Sequence, residues 1–224
     1  MAPRNAFQLK ILLGVVFMAV AYCGGAGRVD LWPGWCYAAF FALVLASSYV
    51  VLARVAPDLM VERVSSGAGG MPGEQAIVGW LALSPIVCAL VAGFDARRNG
   101  VDEGMLAAVA GYAIGIAGMS LTHRAMAVNR FYAPVVRIQK DRGHQVVDAG
   151  PYRLIRHPGN LGNVALNVAT PLMLASRWAW IPAGISIVLT IVRTALEDRM
   201  LRRELPGYEG YARQTKYRLA SRVW

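Results

Sequence analysis

Charge is scarce in this chain, and acidic charge is scarcer still. Asp, Glu, Lys and Arg make up 16% of its 224 residues, with 13 acids against 23 bases. Hydrophobic residues reach 56%, and the mean hydropathy is +0.42. A chain so short of charge cannot clothe an ordinary soluble domain. Cysteine is scarce too. Cys23, Cys36 and Cys88 lie in or beside apolar segments and share no metal-ligand spacing, so no metal is expected. Cys23 and Cys36 flank one short loop, and their spacing leaves a disulfide open. The first apolar segment lacks a small-residue cleavage site followed by a soluble mature domain, so it reads as a span and not as a cleaved signal. The net charge of +10 is the one feature that points towards nucleic acid. In a membrane chain, however, basic residues mark the cytoplasmic face and its anionic lipids, and no nucleic-acid partner is expected.

What the chain does have is long apolar runs. They read as spans over residues 7–24, 35–53, 76–94 and 104–122, followed by a mostly apolar stretch over 160–196. Lys10 can snorkel from the first span, and Trp32 and Trp35 suit the interface. A short interfacial helix is expected over 57–63, and the Gly- and Ser-rich residues 65–73 should be mobile. Pro85 sits inside the third span, where membrane helices tolerate a kink. Gly111, Gly115 and Gly118 give the fourth span a face that a second helix can approach closely, within the bundle or between chains. Pro171, Ser176, Arg177, Trp178 and Pro182 interrupt the last stretch, which predicts two helices joined by a tight turn near Ser176 and Arg177. The expected fold is an all-α polytopic membrane protein of about six transmembrane helices, ending in a helical hairpin with a cytoplasmic pocket. Two parts follow: membrane helices over 1–122, and a segment over 123–224 holding the pocket.

Six spans put Arg28, Arg97, Arg98 and Arg177 on one side and the other 19 of 23 basic residues on the opposite side. That second side is then cytoplasmic, with both termini on it. The lipid bilayer is the expected environment, and the oligomeric state stays open.

The whole chain is organised around residues 150–162, Gly-Pro-Tyr-Arg-Leu-Ile-Arg-His-Pro-Gly-Asn-Leu-Gly, where a basic polar segment enters an apolar one. Pro158 keeps His157 out of the helical region. A helix starting near Asn160 would turn its free N–H groups back towards the imidazole, which suits an anionic or polar ligand. A membrane-entry turn with arginines on lipid phosphate explains the same residues. Val135 to Ile138 and Val146–Val147 alternate weakly and read as short extended pieces, with His144 between them. Glu197 and Asp198 end the last apolar run. A hairpin returns them to the level of His157, where the helix dipole disfavours carboxylates and hints at a further role. Pairing with Arg193, Arg202 or Arg203 is the plainer alternative. Tyr208 and Tyr211, three apart, share a helix face and can cover a pocket or sit at the interface.

In this order, Gly150-Pro151-Tyr152, Arg156-His157-Pro158, Gly162, a carboxylate pair after a helical hairpin, and Gly207-Tyr208 with Tyr211, the chain resembles the isoprenylcysteine carboxyl methyltransferase family, related to the phospholipid N-methyltransferases. The resemblance is strongest over 129–224. It implies S-adenosylmethionine as cofactor, with His157, Pro158 and Gly162 against it and Glu197 at its polar end. His144, Gly150, Tyr152, Asn160, Leu161 and Asp198 join the expected cofactor site. Two positions depart from the family: Asp198 stands where a second Glu is frequent, and Asn160 where Tyr is usual.

The acceptor implied is lipidic or small and apolar, most simply the carboxylate of an isoprenylcysteine-like molecule. A carboxylate needs only a cation to place it, and Arg153, Arg156 and Arg218 are candidates. Arg156, Glu197 and Arg218 are the expected catalytic residues, and Arg153, Tyr208 and Tyr211 the expected acceptor contacts. An amine acceptor would need a base such as Glu197 or His144, and a thiol would need arginines nearby to favour its thiolate. A nicotinamide-dependent membrane reductase and a non-enzymatic membrane scaffold are the rivals of another class.

Overall fold

A computed structural model describes residues 3–55, 73–101, 104–133 and 135–220. The helix expected over 57–63, most of the mobile stretch after it and the Lys10 side chain lie outside the described residues. Among those described, seven α-helices and no strand are found: α1 Pro3–Ala26, α2 Trp32–Val55, α3 Glu74–Asn99, α4 Met105–Val128, α5 Pro158–Met173, α6 Trp180–Glu204 and α7 Tyr208–Gln214.

The fold is all-α and polytopic, but the span count needs correction. Four helices, α2, α3, α4 and α6, are long and apolar enough to cross a membrane. The apolar part of α1 is the shorter Ile11–Ala26. Helix α5 has 16 residues, about 24 Å of rise, against a hydrocarbon core of about 30 Å. Its short length is tolerable because protein covers it. Three glycines of α4 make this possible. A methyl group built on Gly118 would lie 2.8 Å from both Ala165 Cβ and the Gly162 carbonyl. One built on Gly111 would lie 2.8 Å from Leu172 Cβ. The small-residue face of α4 therefore packs inside the bundle, with Gly162 of α5 as its counterpart. Helices α1 and α3 cross the same way, where a methyl on Gly25 would meet the Leu90 carbonyl at 2.6 Å.

Proline inside α3 leaves the Leu81 carbonyl without its helical donor, and the Ser84 hydroxyl supplies one at 3.2 Å. At the far end of the bundle, Asp95 closes the α5–α6 turn. It accepts from the Ser176 hydroxyl at 2.6 Å and from the Trp178 N–H at 3.2 Å. Arg98 lies over the Trp178 ring, and Arg97 approaches Gly27, so these loops gather at one end as the charge pattern expects. All three cysteines are free. Trp35 is half exposed and donates to the Val29 carbonyl at 2.7 Å.

Two readings of local structure change. Residues 135–138 and 146–147 form no strand, because the segment finds no partner strand. The Val136 N–H instead donates to the Glu74 carboxylate at 2.7 Å. Helix α6 runs past the carboxylate pair, as the helical pattern from Glu197 to the Pro206–Gly207 break predicts, but the dipole cost expected at that pair is absent. It continues to Glu204 through Met200, Leu201, Arg202 and Arg203, all good helix formers, so Glu197 and Asp198 lie within it and the dipole penalty disappears.

Candidate active site

Pro158 takes the first position of α5, and His157 precedes it with φ −127° and ψ 62°, outside the helical region as the proline dictates. Arg156 and His157 are pinned from the other side by the tail. Their N–H groups each donate at 2.9 Å, to the carbonyls of Tyr217 and Arg218. The polar loop, the start of α5, the end of α6 and the tail thus converge.

Asp198 is the buried centre of this convergence. Arg156 clamps it through Nε at 2.7 Å and Nη2 at 3.2 Å, with both side chains at most 2% exposed. Arg218 Nε reaches Asp198 Oδ2 at 2.9 Å and Arg202 Nε at 3.2 Å. The Tyr208 hydroxyl donates to Oδ1 at 3.1 Å, and His157 Nε2 lies 3.3 Å from the same oxygen. A carboxylate can only accept, so Nε2 carries the imidazole proton in that contact. Arg156 Nη1 donates to the carbonyls of Thr215 and Lys216 at 2.8 and 2.7 Å. Every nitrogen of the Arg156 guanidinium is thereby engaged. Its geometry is that of a positioning residue, which fastens the tail to α6.

Beside this cluster lies a cavity of about 580 Å³. Of the residues singled out from sequence, His144, Tyr152, Arg156, His157, Asn160, Glu197, Tyr208 and Tyr211 line it. Asn160 Nδ2 donates to Thr194 Oγ1 and Glu197 Oε2, both at 3.1 Å, and so ties α5 to α6. Glu197 Oε2 also lies 3.7 Å from His157 Nδ1, placing the imidazole between the two carboxylates. Tyr208 and Tyr211 meet edge to face at 5.5 Å, and Tyr211 donates to the Tyr152 carbonyl at 2.7 Å. Burial raises all three phenols, Tyr211 to about 12 and Tyr152 and Tyr208 well beyond the usual value, so they stay protonated donors.

His144 stacks on Phe131 with centroids 4.6 Å apart, and its Nδ1 accepts from the Gln139 N–H at 3.3 Å. Burial first, then the charges of Arg137 and Arg142, lower its pKa. The neutral ring therefore holds its proton on Nε2 and faces a ligand as a donor. That removes the simplest way for His144 to serve as a base.

Seven expected residues do not line the cavity: Gly150, Arg153, Pro158, Leu161, Gly162, Asp198 and Arg218. Gly162 faces Gly118 and Thr122 on the opposite side of α5, where it sets helix packing. Gly150 adopts φ 55° against Val128, a turn position. Arg153 is exposed. Asp198 and Arg218 belong to the cluster behind the wall.

Sequence reasoning passed over other lining residues. Arg193 projects from α6 one turn before Glu197 and pairs with the buried Glu74 at 3.3 Å. A charge inside an apolar run was its signal. Asn163 and Asn167 line the cavity further along α5, and their spacing from Asn160 was the available clue.

Residues 111–203, from the glycine face of α4 to the end of α6, match the family model described as Isoprenylcysteine carboxyl methyltransferase (ICMT) family. The match takes in the loop from Arg156 to Gly162, the hairpin and the carboxylate pair, so the likeness read from sequence is borne out there. With the four apolar helices, the match supports a membrane methyltransferase. No curated protein matches the chain.

Proposed function

We propose that the protein transfers a methyl group from S-adenosylmethionine to the carboxylate of an isoprenylcysteine-like acceptor, at the cytoplasmic boundary of the membrane. One observation supports this best. A single cavity joins a polar end at His157, Asn160 and Glu197 to apolar walls from Phe41, Val44 and Leu81. A charged, soluble donor and a lipidic acceptor need both in one place.

The residues present fit such a cofactor. The volume lies in the usual range of about 300–1,000 Å³ for ligand sites. Glu197 Oε1 has no hydrogen-bond partner among the described residues and suits a positive group. Glu197, His157 and Asn160 would hold the polar end, with Tyr152, Tyr208 and Tyr211 as the aromatic enclosure. Bound there, S-adenosylmethionine supplies an electrophilic methyl group.

The chain's own part is to position and to exclude water. Alignment alone can lower a barrier by about 7–11 kcal/mol in ideal cases. An acceptor carboxylate needs no base, which agrees with a neutral His144 that donates. The cluster around Asp198 gathers the cations Arg156, Arg202 and Arg218 against Asp198 and Glu209, and this surplus attracts an anionic acceptor. Helix α7, through Tyr208 and Tyr211, closes one side of the cavity and shields the reaction from water. The activity is assigned to residues 123–224, with both termini cytoplasmic, as reporter fusions would report. The deciding test is purified protein given labelled S-adenosylmethionine and a panel of prenylcysteine, aminophospholipid and small thiol acceptors. Methyl ester formation on prenylcysteine is the expected product. Transfer to an amine or thiol alone would overturn the carboxylate assignment.

A further inference from the structure

The cavity has two unlike walls. Phe41, Val44 and Leu81 make one of them apolar. The other is a face of α5 on which Asn160, Asn163, Asn167 and Thr170 follow at three- and four-residue steps. Thr170 bonds within its own helix, to the Leu166 carbonyl at 2.9 Å, and Asn160 is held by Thr194 and Glu197. The middle pair is different. Asn167 Nδ2 donates to the Asn163 carbonyl at 2.9 Å, which leaves its Oδ1 open, and the Asn163 carboxamide makes no hydrogen bond among the described residues. Both side chains are half-buried.

Carboxamides without partners are expensive at membrane depth, and they persist where a ligand or water meets them. Asn163 and Asn167 stand three and seven residues beyond Asn160, about 4.5 and 10.5 Å further along the helix axis. A plain hydrocarbon chain lying there would leave both amides unsatisfied. We infer that, within the isoprenylcysteine-like class, Asn163 and Asn167 favour over a plain chain an acceptor whose apolar portion carries a hydrogen-bonding oxygen, a hydroxyl or carbonyl, about one to two helical turns from its reacting group. The inference rests on the methyl-transfer reading for what the reacting group does. The apolar wall opposite takes the hydrocarbon side of such a molecule, and the amides take the oxygen.

The test uses the full chain in nanodiscs, with stearate and a series of stearates that each carry one hydroxyl at a different carbon. Binding is measured by titration against the wild type, Asn163→Leu and Asn167→Leu, alongside S-adenosylmethionine. At least one hydroxystearate should bind the wild type about tenfold tighter than stearate, the scale of one well-made hydrogen bond. The preference should vanish in at least one variant, while donor affinity stays as in the wild type. Leucine suits a membrane helix, and the comparison within the wild type stands even where a variant fails to insert. Equal binding of every member of the series by the wild type would overturn the inference, as would a preference kept by both variants. Loss of S-adenosylmethionine affinity in the variants would overturn it as well, by giving the asparagines to the donor. A wild type that binds no donor overturns the methyl-transfer reading alone, and the lipid titration still decides the acceptor.

Discussion

Glu197 looks into the cavity with its side chain 26% exposed, whereas Asp198, the next residue of α6, is 0% exposed and held by three guanidinium groups. The two regions they head differ in kind. Around Asp198 the polar groups are matched: Arg156 spends all its nitrogens and Tyr208 its hydroxyl. Around the cavity they are not: Glu197 keeps an oxygen, Asn163 a whole carboxamide, His144 an N–H. A saturated buried cluster fixes geometry, because any departure strands a charge. An unsaturated one is poised for a ligand. At Glu197 and Asp198 one helix, turned by about 100° between neighbouring residues, thus divides a saturated cluster from an open cavity.

The sharpest way to break this comparison is to empty the saturated side. Asp198→Asn leaves Arg156 buried without its carboxylate and should cost about 3–5 kcal/mol, read as a large fall in Tm in detergent. A normal Tm with lost donor affinity would instead make Asp198 a ligand. Next comes the joint that holds α5 in place. Gly118→Val drives a side chain into Ala165 and the Gly162 carbonyl and should cost about 1–3 kcal/mol. Transfer should fall with the folded fraction. On the unsaturated side, Glu197→Gln should barely move Tm yet weaken donor binding by about 1–3 kcal/mol in calorimetry. Unchanged donor affinity there would remove Glu197 from the cofactor site.

The helices were legible because apolar runs of that length admit few other structures, and the α4 glycines announced a close-packing face through spacing, though not which helix would meet it. Which residues of the 150–162 stretch face the ligand was not legible. His157, Pro158, Asn160 and Gly162 all lie in that stretch, and their spacing ranks none above another. Only the rotation of α5 turns Asn160 to the cavity and Gly162 to α4. Arg156 misled for a related reason. An arginine next to a site histidine reads as a ligand clamp, and nothing local shows that Asp198, 42 residues on, will claim both arms of its fork. Sequence distance hides such pairs, whereas the Asn160, Asn163, Asn167 spacing lay in view and was masked by the apolar residues around it.

The smallest effect separates the two regions by pH. His144 lies on the cavity side, outside the spans. Burial and the neighbouring arginines hold its pKa below the ordinary 6.5, while Glu197 pulls weakly the other way. In the unfolded chain the ring protonates near 6.5, and in the folded chain only at lower pH. Its contribution to stability is therefore complete above about 6.5 and is lost as pH falls through the folded value. The structure gives the cost a cause. A proton on Nδ1 would set donor against donor at the Gln139 N–H and end that hydrogen bond. His144→Gln keeps an acceptor for the same N–H and adds no charge on acidification. Thermal unfolding of wild type and His144→Gln across this window should show the wild type losing stability faster on the acid side, with the carboxylates common to both cancelling. Parallel curves would mean that the imidazole titrates as it does in water. The ring would then be a charged donor at mildly acid pH, and His144 would move from the neutral wall of the cavity to its cationic surplus.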